Sequence, residues 1–321
     1  MGKVFGILKL VRWVNLLIII GSMYMFQYCV INLYLHVSNV VPTMSWGYFS
    51  LLVLATVLIA AAGNVANAYF DYDQDMEYKP ETVVIGKYIS QNNAFALQMG
   101  LNVVGVLIGF FLSYSYGNMQ MGYLFLSVAA LLWLYSLQLK RYFLIGNILV
   151  AALSAIVFVL PVLFESNLTI ADYSENLDRA RIVIFAELKW YFLFAFVVSL
   201  IREIVKDAED READAAYGMK TVPVVLPQIA VNIIIVTLLL AVAVGLGFVQ
   251  VYFWKQGLKY HFWYILFFLQ FQVLTNIFTG FISKTKQDYH NLSVLLKLLM
   301  FFGVASLPVF YWFIKLHESA H

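Results

Sequence analysis

The chain has 321 residues, of which 63% are hydrophobic, 17% are aromatic and only 12% are charged. A soluble domain carries about 25% charged residues, so this composition excludes an ordinary soluble fold. The net charge of +2 is too small to indicate nucleic acid as a partner, and the single cysteine, Cys29, permits no internal disulfide. The composition instead predicts a protein of the lipid bilayer.

Nine apolar runs approach the length of about 20 residues that an α-helix needs to cross a bilayer. We therefore predict an all-α, polytopic membrane protein with nine transmembrane helices in a single domain, residues 1–321. The predicted helices occupy residues 13–35, 46–70, 93–114, 119–137, 142–164, 188–205, 222–252, 261–282 and 292–315. The first run is too long for a signal peptide and no small-residue cleavage site follows it, so it is interpreted as a membrane helix. The polar stretch from Glu165 to about Glu187 is predicted to be a loop.

The distribution of lysine and arginine predicts the orientation. If the N-terminus is cytoplasmic, the inner segments contain 13 of these residues and the outer segments contain 6. Cytoplasmic segments of membrane proteins carry the excess of positive charge. We therefore predict a multi-pass protein of the cell (inner) membrane. Its N-terminus, and the loops after helices two and six, are predicted to face the cytoplasm.

Acidic residues are concentrated in those two loops. Eleven of the eighteen carboxylates lie in residues 71–81 and 203–214, each window at the end of an apolar run. Charges at a membrane boundary are costly and indicate a functional site. The two helices with their acidic loops also resemble a distant internal duplication.

The spacing of these side chains points to metal binding. The first set is Asn67, Asp71 and Asp75, at i, i+4 and i+8. The second set is Asp207, Asp210 and Asp214, at i, i+3 and i+7. Each set occupies one face of a helix. Oxygen ligands of this type suit Mg²⁺, which is typically shared between a few carboxylates and the phosphates of a substrate. Five further acids in the two windows are explained as solvated surface residues: Asp73, Glu77, Glu81, Glu209 and Glu212.

Basic residues lie close to both sets. Lys140 and Arg141 follow helix four, and Arg202 and Lys206 precede the second acidic set. A protein cation together with Mg²⁺ is a common means of binding a diphosphate and stabilising it as it leaves. For Lys140 and Arg141, a role in membrane topology alone is an equally open interpretation.

Four segments together carry a family resemblance. They are Asn67 to Asp75, Tyr135 to Arg141, Gly146-Asn147, and Arg202 to Thr221 with its Asp207, Asp210, Asp214 and Gly218. In order, spacing and position relative to the helices, these segments resemble UbiA-type intramembrane prenyltransferases. The resemblance extends over about residues 5–315.

The resemblance implies nine helices around a central cavity, where a polyprenyl diphosphate binds through two Mg²⁺ ions. The implied metal ligands are Asn67, Asp71, Asp75, Asp210 and Asp214, with Asp207 as an additional acid. The implied substrate-binding cations are Lys140, Arg141 and Lys206, with Arg202 beside them. Tyr135 and Ser136 are implied to line the reacting end of the cavity. The donor ionises at its C1–O bond, and a lipophilic acceptor attacks the resulting allylic cation.

The acceptor is less well defined by the sequence. The form of the second acidic motif is most similar to digeranylgeranylglyceryl phosphate synthases, which implies geranylgeranylglyceryl phosphate as the acceptor. An aromatic quinone precursor or a haem precursor stays open. After the first acidic motif, Tyr78 and Thr82 replace the Asn and Arg that are usual in the family. Lys79 and Lys87 are candidates to supply the positive charge in this loop.

Two other classes of membrane protein were compared with this pattern. A CDP-alcohol phosphotransferase requires an Asp-Gly-x-x-Ala-Arg signature, which the sequence does not contain. A cation transporter predicts ionisable residues near the middle of its helices. Here the acids cluster at one side of the membrane, which favours an enzyme with a one-sided active site.

Overall fold

A computed structural model describes residues 2–169 and 175–319. In this part of the chain, nine helices are long and apolar enough to cross a membrane, which confirms the predicted all-α class. We number them α1 to α9 in chain order. They are Trp13–Val37, Trp46–Phe70, Gln91–Ser115, Met119–Leu137, Ile145–Phe164, Glu175–Glu209, Gln228–Lys255, Lys259–Ile282 and Lys286–Ser319.

Helix α6 is much longer than predicted. It begins at Glu175 instead of residue 188, so the prediction of a loop up to Glu187 is wrong from Glu175 onward. The extension forms because its charges pair at helical spacing: Arg179 with Glu175 at 2.6 Å, and Arg181 with Asp178 at 3.1 Å. Its other side is buried and consists of Leu177, Ala180 and Ile184. The first part of the predicted loop contains a short helix, Ser166–Thr169, and residues 170–174 lie outside the described residues.

Helix α7 begins later than predicted because of a proline. A four-residue helix, Val222–Val225, comes first, and Leu226 then adopts an extended conformation with φ −102° and ψ 150°. A residue that precedes proline is disfavoured in the helical region, so Pro227 separates the two helices. Helix α7 starts at Gln228.

The chain forms two compact units. Unit one consists of Met1–Met23, Pro42–Arg141 and Leu160–Asp172. Within it, α2 packs against α3 and α4, and α3 packs against α4. Glycine permits the close approach of α2 and α3, since a Cβ atom at Gly105 would lie 2.8 Å from a side-chain carbon of Ile59.

A buried carboxylate stabilises the end of unit one that contains the loop before α2. Glu165 is fully buried and accepts hydrogen bonds from the backbone N–H of Thr43 at 2.8 Å and of Met44 at 3.3 Å. It also accepts a bond from the Thr43 hydroxyl and one from the Asn167 backbone N–H. This network joins the loop before α2 to the chain that leaves α5.

Unit two consists of Tyr24–Val41, Tyr142–Val159 and Tyr173–His321. Within it, α6 packs against α7 and α9, and α8 packs against α7 and α9. Its apolar core includes Val198, Ile201, Ile235, Leu239 and Leu296. The prediction of a single domain stays a prediction.

Candidate functional site

The first acidic set lies where α2 ends. Helix α2 ends at Phe70, Asp71 has φ −90° and ψ 2°, and a short helix, Tyr72–Tyr78, follows. The helical hydrogen-bond pattern continues across this break. The Asp71 N–H donates to the Asn67 carbonyl at 3.0 Å, and the Asp75 N–H donates to the Asp71 carbonyl at 2.8 Å. Helical spacing is therefore kept from Asn67 to Asp75.

A cation from α4 reaches this acidic set. Lys140 lies in a single 3₁₀ turn, Leu139–Arg141, directly after α4. Its ammonium group donates to the carboxylate of Asp71 and lies 3.5 Å from the side-chain oxygen of Asn67. The Lys140 side chain is only 11% exposed and that of Asp71 is 19% exposed, so water screens this pair weakly. The packing of α4 on α2 thus places a positive charge between two of the predicted metal ligands.

The second acidic set lies in a similar backbone arrangement. Helix α6 ends at Glu209, Asp210 has φ −98° and ψ 5°, and a short helix, Arg211–Ala216, follows. The Asp210 N–H donates to the Lys206 carbonyl at 3.0 Å, and the Asp214 N–H donates to the Asp210 carbonyl at 3.0 Å. Asp214 is buried, whereas Asp210 is partly exposed.

The two segments share one local design. In each, a long helix is interrupted at an aspartate with φ near −90° and ψ near 0°, and a second aspartate follows four residues later. Asp71 therefore corresponds to Asp210, and Asp75 corresponds to Asp214. This backbone similarity supports the predicted internal duplication. The segments differ four residues before the break, where the first has Asn67 and the second has Lys206.

Two polar side chains position acids of the second set. The amide nitrogen of Asn147 donates to a carboxylate oxygen of Asp207 at 2.7 Å, and the hydroxyl of Thr221 donates to Asp214 at 3.1 Å. Asn147 and Thr221 are both buried. No role for either could be assigned from the sequence, because the partners are 60 and 7 residues away along the chain. Their occurrence in the motifs of the family was the only signal.

Other predicted residues lie in different surroundings. Ser136 is buried and its hydroxyl donates to the Leu132 carbonyl of its own helix at 2.9 Å, while Tyr135 is partly exposed. The guanidinium of Arg202 pairs with its neighbour Glu203 at 2.9 Å, so its charge is already balanced within α6. Lys206 interacts electrostatically with Asp207.

The loop between α2 and α3 carries the remaining basic candidates. Lys87 is exposed and its ammonium lies 5.6 Å from the ring centre of Tyr88, while Lys79 is partly buried. Gly86 shapes this loop with a φ of +83°, and a Cβ atom there would lie 3.0 Å from the hydroxyl of Tyr72. Only glycine adopts this conformation readily. Arg141, beside Lys140, is exposed.

The donors in both segments fit Mg²⁺. Within residues 2–169 and 175–319, no group of three or more His, Cys, Asp or Glu side chains is close enough to enclose a metal ion. This excludes a closed protein cage there, but Mg²⁺ is usually held by one or two carboxylates together with water and substrate phosphates. The ammonium of Lys140 against Asn67 and Asp71 shows that this position accepts a cation.

Comparison with known sequences identifies relatives. A model of the UbiA prenyltransferase family matches residues 39–288. The digeranylgeranylglyceryl phosphate synthase of Thermococcus sibiricus is 30% identical over 177 residues, which are 55% of this chain and 56% of that protein. The synthase of the same name from Korarchaeum cryptofilum is 28% identical over 259 residues, 80% of this chain and 84% of that protein. The chain thus spans little more than half the length of the first of these relatives.

Solved structures show the same fold. A structure reported for digeranylgeranylglyceryl phosphate synthase in membranes aligns with a TM-score of 0.62 at 21% identity, over 96% of this chain and 98% of that one. A UbiA homologue from Archaeoglobus fulgidus bound to GPP and Mg²⁺ aligns with a TM-score of 0.56 at 15% identity, over 94% and 99% of the two chains. At these identities the likeness establishes the fold.

Proposed function

This chain belongs to the UbiA prenyltransferase family, and from that premise we propose that it transfers a polyprenyl group from a polyprenyl diphosphate to a lipophilic acceptor in a Mg²⁺-dependent reaction. The observation that carries the proposal is the pair of matching helix breaks at Asp71 and Asp210, each followed by a second aspartate after four residues. The relatives named as digeranylgeranylglyceryl phosphate synthases support the same reaction class.

The oxygen atoms of the two acidic segments hold Mg²⁺ in this proposal. Asn67, Asp71 and Asp75 provide the ligands of the first segment. Asp210 and Asp214 provide those of the second, with Asp207 beside them. When bound, Mg²⁺ supplies positive charge that stabilises the diphosphate as it leaves. Thr221 fixes one oxygen of Asp214 and Asn147 fixes one oxygen of Asp207, so that the remaining lone pairs keep a defined direction.

The lysines complete the electrostatic part of the mechanism. Lys140 and Lys206 each lie beside an aspartate of an acidic segment, and Arg141 adjoins Lys140. Cations held in this way bind the donor's diphosphate and stabilise the charge that develops when the C1–O bond breaks. The acceptor's hydroxyl oxygen then forms the new bond to C1 and its proton is released. Tyr135 offers an aromatic face to the allylic cation.

For the acceptor we propose geranylgeranylglyceryl phosphate. Its support is the form of the second acidic motif and the names of the relatives. The phosphate of such an acceptor is anionic, and Lys79 and Lys87 lie in the loop that follows the first acidic segment. Quinone and haem precursors are the alternative acceptors.

An acceptor screen with one donor tests this assignment. Purified protein in lipid receives labelled geranylgeranyl diphosphate with Mg²⁺ and one of four acceptors: geranylgeranylglyceryl phosphate, 4-hydroxybenzoate, dihydroxynaphthoate or haem. We expect product and released diphosphate with the glyceryl phosphate, and none after addition of EDTA. Turnover with an aromatic acceptor alone would reassign the acceptor. Turnover that continues in EDTA would contradict the metal-dependent mechanism.

We also propose that both acidic segments and the N-terminus are cytoplasmic and that the protein resides in the cell (inner) membrane. The excess of lysine and arginine in the inner segments supports this orientation. The variant Lys87→Cys is made in a Cys29→Ser background. Its cysteine is expected to react with an impermeant maleimide only after the cells are broken, so that the reagent reaches the cytoplasmic side of the membrane. Labelling of that cysteine from outside intact cells would reverse the orientation.

A further inference from the structure

Unit two contains a cavity that none of the residues of the two acidic segments lines. It has a volume of about 540 Å³ and lies mainly between α6 and α7, with contributions from α8 and α9. We call it the α6–α7 groove. Its lining is almost entirely apolar and aromatic, and it includes one carboxylate, Glu187, together with Trp190, Tyr191, Tyr252 and Phe253. A volume of this size is typical of a small-ligand site.

The carboxylate of Glu187 lacks a compensating positive charge in the part of the chain that the structure describes. It makes no hydrogen bond and no ion pair with any residue of 2–169 or 175–319. Lys189 is two residues further along α6, and residues at that spacing point to different sides of a helix. The exposed fraction of Lys189 is correspondingly large. A carboxylate in apolar surroundings without a compensating charge is costly, which indicates that its partner comes from outside the chain.

Three cations of unit two make contacts with residues other than Glu187. Arg181 pairs with Asp178 at 3.1 Å. The ammonium of Lys259 lies 6.0 Å from the ring centre of Trp254, and that of Lys315 lies 4.8 Å from the ring centre of Tyr311. The lining of the groove itself contains no lysine, arginine or histidine, so it supplies no positive charge to Glu187.

Aromatic side chains line the same groove as the carboxylate. Glu187 interacts electrostatically with Tyr34 and Tyr191, and Tyr34 also interacts with Tyr252. The Tyr191 and Ser306 hydroxyls bond to each other at 2.7 Å, so these two lining groups are already satisfied. An anionic group among aromatic faces is the arrangement that binds an ammonium ion, because the ring faces are negative and the carboxylate supplies the opposite charge.

The depth of Glu187 in the membrane identifies the source of such an ion. Glu187 precedes Asp207 by twenty residues of one continuous helix, which is a rise of about 30 Å and equals the thickness of the hydrocarbon layer. With Asp207 at the cytoplasmic boundary, as proposed above, this rise places Glu187 near the opposite membrane interface, at the level of lipid head groups. The rim residues Phe248 and Tyr252 are strongly exposed, so the groove opens toward the surroundings of the helices.

We propose that the α6–α7 groove binds a phospholipid whose head group carries an ammonium ion. The ammonium pairs with Glu187 among the tyrosines, and an acyl chain occupies the apolar part of the groove. The lining of this site shares no residue with the acidic segments, and the site adds to the proposed function.

Trp190, at the rim of the groove, reports on the bound lipid. The full chain is placed in lipid nanodiscs that contain one brominated lipid, with identical acyl chains and one of three head groups: phosphatidylethanolamine, phosphatidylglycerol or a neutral glycosyl glyceride. The bromine quenches nearby tryptophan fluorescence, and the difference between wild type and Trp190→Phe isolates Trp190. We expect phosphatidylethanolamine to be enriched roughly fivefold over both other lipids, as expected for one charge pair with a cation–π contact.

Two matched variants of α6 decide the outcome. Glu187→Gln keeps the shape of the side chain and is expected to abolish the preference for the ammonium lipid. Glu175→Gln removes an exposed carboxylate of the same helix and is expected to leave the preference intact. Equal quenching by all three lipids, or a preference that survives in Glu187→Gln, would overturn the proposal. Prenyl transfer by Glu187→Gln is expected to match wild type, so a failure here is distinguishable from a failure of the proposed function.

Discussion

Lys140 donates a hydrogen bond from its ammonium group to the carboxylate of Asp71, although the two residues are 69 positions apart in the chain. The same ammonium lies 3.5 Å from the side-chain oxygen of Asn67. Two oxygen atoms proposed to bind Mg²⁺ are thus occupied by a cation that belongs to the protein. If Mg²⁺ binds these atoms as proposed, Lys140 would compete with it and would be able to contact the diphosphate once displaced.

Replacement of Lys140 by Met is expected to change metal binding and catalysis in opposite directions. The Mg²⁺ concentration for half-maximal activity should fall severalfold, because the competing cation is gone. The kcat should fall about 10²-fold, because a cation on the departing diphosphate is lost. Mg²⁺ titrations of initial rates measure both quantities. Lys286→Met, at an exposed lysine at the start of α9, is the control and should change neither. An unchanged or higher Mg²⁺ concentration for half-maximal activity in Lys140→Met would contradict the competition.

Loss of a proposed metal ligand should remove most of the activity. Asp71→Asn and Asp210→Asn are each expected to reduce kcat about 10²–10³-fold, since each removes negative charge from the metal site without changing the size of the side chain. Diphosphate release from the labelled donor measures the effect. Asp73→Asn and Glu212→Gln are matched controls at exposed acids of the same two segments. If Asp71→Asn turns over like Asp73→Asn, the assignment of ligands is wrong.

The two acidic segments should act in one catalytic step. We expect the double variant Asp71→Asn/Asp210→Asn to be only slightly slower than the slower single variant, because groups that work as a unit show strongly non-additive effects. Single-turnover rates of the four proteins measure the coupling. Effects that multiply would indicate that the two segments contribute independently.

Asn147 and Thr221 should act as positioning residues. Thr221→Val removes the hydrogen bond to Asp214 and is expected to raise the Mg²⁺ concentration for half-maximal activity about 10–100-fold, as is usual when a partner of a metal ligand is lost. Thr221→Ser keeps the hydroxyl and should need the same Mg²⁺ concentration as wild type for half-maximal activity. Asn147→Ala removes the hydrogen bond to Asp207 and should likewise raise the Mg²⁺ concentration for half-maximal activity. Identical Mg²⁺ titrations of the Val and Ser variants would leave Thr221 with a packing role only.

Glu165 should matter for stability and not for catalysis. Glu165→Ala leaves the backbone N–H groups of Thr43 and of the buried Met44 without their acceptor, and we expect a loss of roughly 2–4 kcal/mol in the free energy of unfolding. Thermal unfolding in detergent, followed by circular dichroism, measures the change. Glu175→Ala removes an exposed, ion-paired carboxylate and serves as the control, with no measurable shift of Tm expected. Equal Tm values for the two variants would contradict the structural role of Glu165.

The sequence by itself determined the membrane character, the acidic segments and, within residues 2–169 and 175–319, the nine membrane-length helices. Length and hydrophobicity decide whether a helix can cross a bilayer, so the predicted second and fourth helices coincide with α2 and α4. The period of the helix likewise places Asn67, Asp71 and Asp75 on one face, and the backbone hydrogen bonds keep that spacing. The prediction failed where composition misleads: the polar start of α6 is helical because its charges pair along the helix and its other side is buried.

Only the tertiary structure decided which residues meet. The pairing of Lys140 with Asp71 and of Asn147 with Asp207 depends on how separate helices pack, and helical periodicity contains no information on that packing. Arg202 stays a predicted substrate-binding cation, and in the structure its guanidinium pairs with the adjacent Glu203 of the same helix. Glu187 gave no signal in the sequence, because one carboxylate in a polar stretch is ordinary. Its significance arises from the apolar and aromatic side chains that α6 and α7 place around it.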